Sequence, residues 1–70
     1  MNRQRVSSSD LESVGYDVDI QTLEVEFKNG SIYDYFNVPS EIYIGLMAAQ
    51  SHGRYFNEYI KDVYQCRRAR

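Results

Sequence analysis

The sequence predicts an α+β domain, a three-stranded antiparallel meander followed by two helices packed on one of its faces, in the order β-β-β-α-α. Two observations predict it. From Val14 to Asn37 apolar residues recur at every second position around an Asn-Gly pair, whereas from Pro39 to Tyr64 they recur at helical spacing. Length adds a bound: 70 residues make one domain, near the lower limit at which a single core outweighs chain entropy.

Residues 1 to 10, "MNRQRVSSSD", have no periodicity and are expected to form a flexible N-terminal arm. "SDLE" matches a helix capping box, but Gly15 and the alternation of Val14, Tyr16, Val18 and Ile20 follow it, so the segment is read as a strand. In "TLEVEFK", Leu23, Val25 and Phe27 share one face while Thr22, Glu24, Glu26 and Lys28 share the other, the cleanest strand signal in the chain. Asn29-Gly30 then closes a hairpin into "SIYDYFN", and two registers compete. A two-residue turn places Val25 opposite Asp34 and sets Tyr33 and Tyr35 beside Glu24 and Glu26. A three-residue loop with Gly30 in the left-handed region places Val25 opposite Tyr33 and Leu23 opposite Tyr35. Putting an unpaired carboxylate on the apolar face costs more than exposing Ile32 and Phe36, so the three-residue loop is favoured.

Pro39 stands at a plausible first helical position with Glu41 in the first turn, where the helix dipole favours negative charge. Ile42, Tyr43, Leu46, Met47 and Ala49 keep helical spacing, Gly45 allows a neighbour to approach closely, and the helix is expected to stop near Gly53. In a second helix, "RYFNEYIKDVY", Tyr55, Phe56, Tyr59, Ile60 and Val63 lie opposite Arg54, Asn57, Glu58, Lys61 and Asp62. Residues 65 to 70, "QCRRAR", are expected to form a frayed basic tail, leaving residues 11 to 64 as the folded domain.

Composition excludes several classes. One cysteine, Cys66, makes no internal disulfide, and one histidine, His52, builds no metal site with it, so no metal and no cofactor are expected. The N-terminus has no apolar segment and the longest apolar run, "IYIGLMAA", is too short for a bilayer, which points to a cytoplasmic protein without membrane contact. Ser7, Ser8 and Ser9 have only one histidine to serve as a base and nothing ties it to them, so no enzyme is expected. Charge is lopsided. Residues 1 to 53 carry three Lys/Arg against eight Asp/Glu, residues 54 to 70 five against two. An acidic whole disfavours indiscriminate nucleic-acid binding, yet the basic end can form a local footprint.

The stretches "VSSSDLESVGYD", "TLEVEFKNGSIYDYFNVP" and "AAQSHGRYFNEYI" together resemble the KTSC domain, a module found at the C-terminus of some lysyl-tRNA synthetases and as a free-standing bacterial protein. The resemblance runs over roughly residues 6 to 64 and centres on Tyr33-Asp34-Tyr35, followed by Val38-Pro39, Ser51-x-Gly53 and Tyr55-Phe56-Asn57. It implies a small binding module with no catalytic residues and, by association with a synthetase, RNA or tRNA as the partner.

Candidate residues follow for two roles. For RNA, Arg54, Lys61, Arg67 and Arg68 are the expected phosphate contacts, with Tyr33 and Tyr35 as stacking platforms; against this, the tyrosines can be core and the cations a solvated helix face plus a solubilising tail. For the alternative, a protein partner or a homodimer, Ile32 and Phe36 are the expected patch on the open sheet face, unless the N-terminal arm shields them. His52, at a helix junction, is expected to serve a helix C-terminus rather than catalysis.

Overall fold

A computed structural model describes residues 1–70. The elements are β1 (Arg3–Arg5), β2 (Leu11–Asp17), β3 (Thr22–Phe27), β4 (Ile32–Tyr35), α1 (Ser40–Ala48), α2 (His52–Tyr59) and β5 (Cys66–Arg68). All five strands form one antiparallel sheet in the order β1-β2-β3-β4-β5. The α+β class stands, while the strand count is corrected from three to five. The expected arm supplies β1 at one edge, and the expected tail supplies β5, which returns from the helices to the other edge.

Hairpin register follows the favoured reading. Leu23 faces Tyr35, Val25 faces Tyr33 and Glu26 faces Ile32. Phe27 N–H donates to the Ser31 carbonyl at 2.9 Å, which leaves Lys28, Asn29 and Gly30 as the loop. Gly30 holds φ +92°, a conformation that a Cβ would strain, and Asn29 Oδ1 accepts from both the Ser31 N–H (3.0 Å) and Ser31 hydroxyl (2.7 Å). The register puts the apolar members of β2, β3 and β4 on one side. A bulge between Leu11 and Ser13 keeps both Leu11 and Val14 on it. Val18 and Ile20, expected to continue the first strand, lie instead in its turn to β3 and are exposed; the Asp17 carboxylate takes the Asp19 N–H at 3.0 Å and ends the strand.

Both helices cover the apolar side. Leu46 of α1 and Phe56 and Ile60 of α2 complete a core with Leu11, Val14, Leu23, Val25, Tyr35 and Val38. Tyr16 ties α1 to the sheet: its ring stacks on Tyr43 at 4.8 Å and its hydroxyl donates to the Val38 carbonyl at 2.6 Å. The helix boundaries differ from expectation. Pro39 caps α1 in an extended conformation, Ala49 is already extended at its end, and Gly53 lies inside α2. Ser51 starts α2, its hydroxyl accepting the Arg54 N–H at 3.2 Å. His52 Nδ1 lies 2.8 Å from the Leu46 carbonyl and, facing an acceptor, carries the proton, so it serves the C-terminus of α1 as expected. Beyond α2, Asp62 adopts φ +63° and Val63 is exposed, so Lys61 and Val63 leave the helical faces assigned to them.

The sheet's other side is an ionic layer. Arg3 reaches Glu24 at 2.7 Å, the Ser13 hydroxyl at 2.9 Å and Glu26 at 3.7 Å; Ser13 donates to Glu26 at 2.8 Å. Arg70 lies 3.5 Å from Glu26 and Arg67 3.7 Å from Asp34. Ile32 is here, but it is not an exposed patch. Its backbone is bonded to Ala69 and Arg70 beyond β5 and it keeps only 6% exposure, so the cover comes at least in part from the C-terminal strand. No helix is long and apolar enough to cross a membrane.

Candidate ligand cleft

Between α2 and the β3–β4 hairpin runs an open cleft of about 640 Å³. Phe27, Tyr33, Tyr35 and Phe56 contribute its aromatic wall, Asn57 and Lys61 its helix side, Lys28, Asn29 and Ser31 its hairpin side, and Ser9 and Asp10 one end. Local sequence explains the shape. Alternation in β3 and β4 sends the aromatics to the helix side, and the Lys28 N–H donates to the Asp10 carbonyl at 2.9 Å, fastening the hairpin to the segment before β2. Asp10 crowds α2 so closely that a Cβ on Gly53 would stand 3.2 Å from its carboxylate.

The aromatic wall is held by edge contacts. Tyr33 meets Phe27 at 5.9 Å (80°) and Tyr35 at 6.4 Å (63°); Phe56 meets Tyr35 at 5.4 Å and Phe27 at 5.4 Å. The two tyrosines differ in role. Tyr35 belongs to the core, and burial first, with the nearby Cys66, Tyr33 and Asp62 adding to it, pushes its phenol up to about 12, so it stays neutral. Tyr33 is half-buried at the mouth of the cleft.

The expected cations are divided by the fold. Arg54 pairs with Glu58 on the same helix at 3.4 Å, and Arg67 pairs with Asp34 on the ionic side of the sheet. Arg3, Arg5, Lys28 and Arg70 are likewise ion-paired. Lys61 and Arg68 alone pair with no carboxylate. Lys61 lines the cleft; Arg68 is not among its lining residues but is the ladder partner of Tyr33, so those two side chains leave the sheet on the same side. Asn57, Tyr64 and the exposed thiol of Cys66 were not among the expected site residues, although each lines the cleft. Asn57 lies within α2, whereas the signal for Tyr64 and Cys66, a turn after α2 leading into a fifth strand, is not visible in the residue pattern. No three or more His, Cys, Asp or Glu side chains gather as a metal-holding group. Phe36, the other member of the expected contact patch, is half-buried, its N–H bonded to the Gln65 carbonyl at 2.9 Å.

A family model described as KTSC domain matches residues 7–64. An uncharacterised protein of Stutzerimonas stutzeri is 48% identical over 64 residues, covering 91% of this chain and 90% of its own length. A lysine–tRNA ligase of Nostoc punctiforme is 39% identical over 55 residues, 79% of this chain but 10% of the ligase. Among solved structures, a KTSC domain protein from Yersinia pestis superposes with TM-score 0.91 at 43% identity, covering 96% of this chain and 94% of that one.

Proposed function

The chain belongs to the KTSC domain family, and we propose that it is a small non-catalytic RNA-binding module of the cytoplasm whose ligand surface is the cleft beside α2. One observation carries the reading: of the two cations with no carboxylate partner, Lys61 lines the same cleft as Tyr33, the one half-exposed tyrosine of the Tyr33-Asp34-Tyr35 motif, and Arg68 is the ladder partner of that tyrosine. Cation beside aromatic is the pairing that single-strand binders use, phosphate to the one and base to the other. The similarity to part of a lysine–tRNA ligase supports RNA as the polymer by association. The alternative of a protein contact through Ile32 and Phe36 has less support, because Ile32 is buried.

Fluorescence anisotropy of labelled tRNA against the full chain at low salt tests the reading. Saturable binding that weakens in Lys61→Ala and Arg68→Ala but not in Arg54→Ala is expected. Absence of binding at low salt, or equal losses in all three variants, would falsify it.

A further inference from the structure

The dimensions and charge of the cleft restrict what part of an RNA it takes. Its volume, about 640 Å³, lies within the span of roughly 300–1,000 Å³ typical of small-ligand sites. Its own charges nearly cancel, because Asp10 and Asp62 line it together with Lys28 and Lys61, and Lys28 is already held by Glu12 at 3.2 Å. A rod of phosphates gains little from such a surface. A neutral planar group laid against Phe27 and Tyr33, the half-buried rings of the wall, gains much more, and the edge contacts hold those rings in place before it arrives. Bases inside a duplex present no free face, and double-strand readers follow a surface of about 16 base pairs, longer than this domain at 28 × 24 × 23 Å.

Resting on the RNA-binding reading, we propose that the cleft takes one unpaired nucleotide of a single-stranded RNA, its base against Tyr33 and its flanking phosphates on Lys61 and Arg68, and that duplex RNA is not a ligand. Stacking then supplies most of the affinity, and salt dependence is shallow. With two phosphates contacted, log K should fall with log salt at a slope on the order of −1.4.

The test uses the full chain and a fluorescein-labelled single-stranded RNA octamer of mixed sequence, alone and annealed to its complement, between about 50 and 200 mM salt. We expect the single strand to bind at least about tenfold tighter than the duplex. Tyr33→Ala should weaken it on the order of ten- to a hundredfold, whereas Tyr33→Phe, which keeps the ring and guards against misfolding as the explanation, should stay within about threefold. Lys61→Ala should flatten the slope by about 0.7. Cys66, the chain's single thiol and exposed at the cleft, gives a second readout: the octamer should slow its alkylation and the duplex should not. Duplex binding as tight as the single strand, a slope steeper than about −3, or Tyr33→Phe losing as much as Tyr33→Ala overturns the single-nucleotide inference while leaving RNA binding in place. If neither RNA binds, the function itself is wrong and this inference falls with it.

Discussion

Asp34 stands directly across the ladder from Glu24, and one of its carboxylate oxygens, Oδ1, is buried without a conventional donor. Two carboxylates side by side cannot both be charged without cost, so a shared proton is the natural resolution. Burial first, then the hydrogen bond and charge of Glu24, push Asp34 above its ordinary value of 3.8, with Arg67 opposing. Burial also acts to raise Glu24, but the hydrogen bond and charge of Arg3 and the proton from Asp34 hold it below its ordinary value.

A raised carboxyl favours the fold while it is protonated, so its contribution is complete below the ordinary value of 3.8 and is lost as pH rises through the raised folded value. Asp34→Asn removes that dependence. Whatever its stability offset near neutral pH, the variant should lose ground to the wild type as pH falls from neutral toward the ordinary value of 3.8. Urea midpoints across that range measure it, and parallel profiles for the two proteins would refute the shared proton.

Gly45 faces the Tyr55 ring so closely that a Cβ would overlap its hydroxyl. Gly45→Ala should therefore destabilise by about 1 kcal/mol, since overpacking of about 1–3 kcal/mol exceeds the helical gain of up to about 1. In a Tyr55→Ala background the same change should become stabilising. Thermal denaturation of the four proteins closes the cycle, and an unchanged sign would mean that Tyr55 simply moves aside.

At Gly30 nothing stands within 4 Å of a would-be Cβ, and only φ +92° resists a side chain. Gly30→Ala is expected to cost on the order of 1 kcal/mol from backbone strain alone. Amide exchange at Phe27 should keep its protection in that variant; its loss would signal a shifted hairpin register instead.

Truncation after Gln65 removes β5, the backbone bonds to Ile32 and the Arg67–Asp34 and Arg70–Glu26 pairs. Uncovering one Ile and several hydrogen bonds should cost about 2–4 kcal/mol. A frayed tail would cost nothing, and an unchanged denaturation midpoint would show that the strand contributes nothing in solution.

The hairpin was legible because alternation and the cost of a carboxylate on the apolar face both select one register. Yet the second argument holds only in part. Asp34 escapes the core but is still covered, its side chain 13% exposed under Arg67. What hid this was β1 and β5. "RQR" and "CRR" show no apolar alternation, because each is an edge strand whose residues are exposed, their side chains joining the ionic layer or, for Cys66, the rim of the cleft. Gly53 misled the helix boundary because glycine reads as a stop, whereas here it answers the approach of Asp10 and Ser51 supplies the start. The free cations could not be identified from the chain alone, since being unpaired depends on where every carboxylate falls.

The two neighbours of β4 arrive by very different routes. β3 is joined to it by a three-residue loop, whereas β5 reaches it only after the whole helical segment has been traversed. Local hairpins close in microseconds, and distant strands wait on the loop entropy between them. In refolding followed by pulsed hydrogen exchange, the Phe27 amide, bonded within the hairpin, should become protected before those of Ile32 and Phe36, which bond to Arg70 and Gln65. The strand bearing both tyrosines is thus zipped early along one edge and late along the other, so the cleft wall acquires its final shape at the last step of folding.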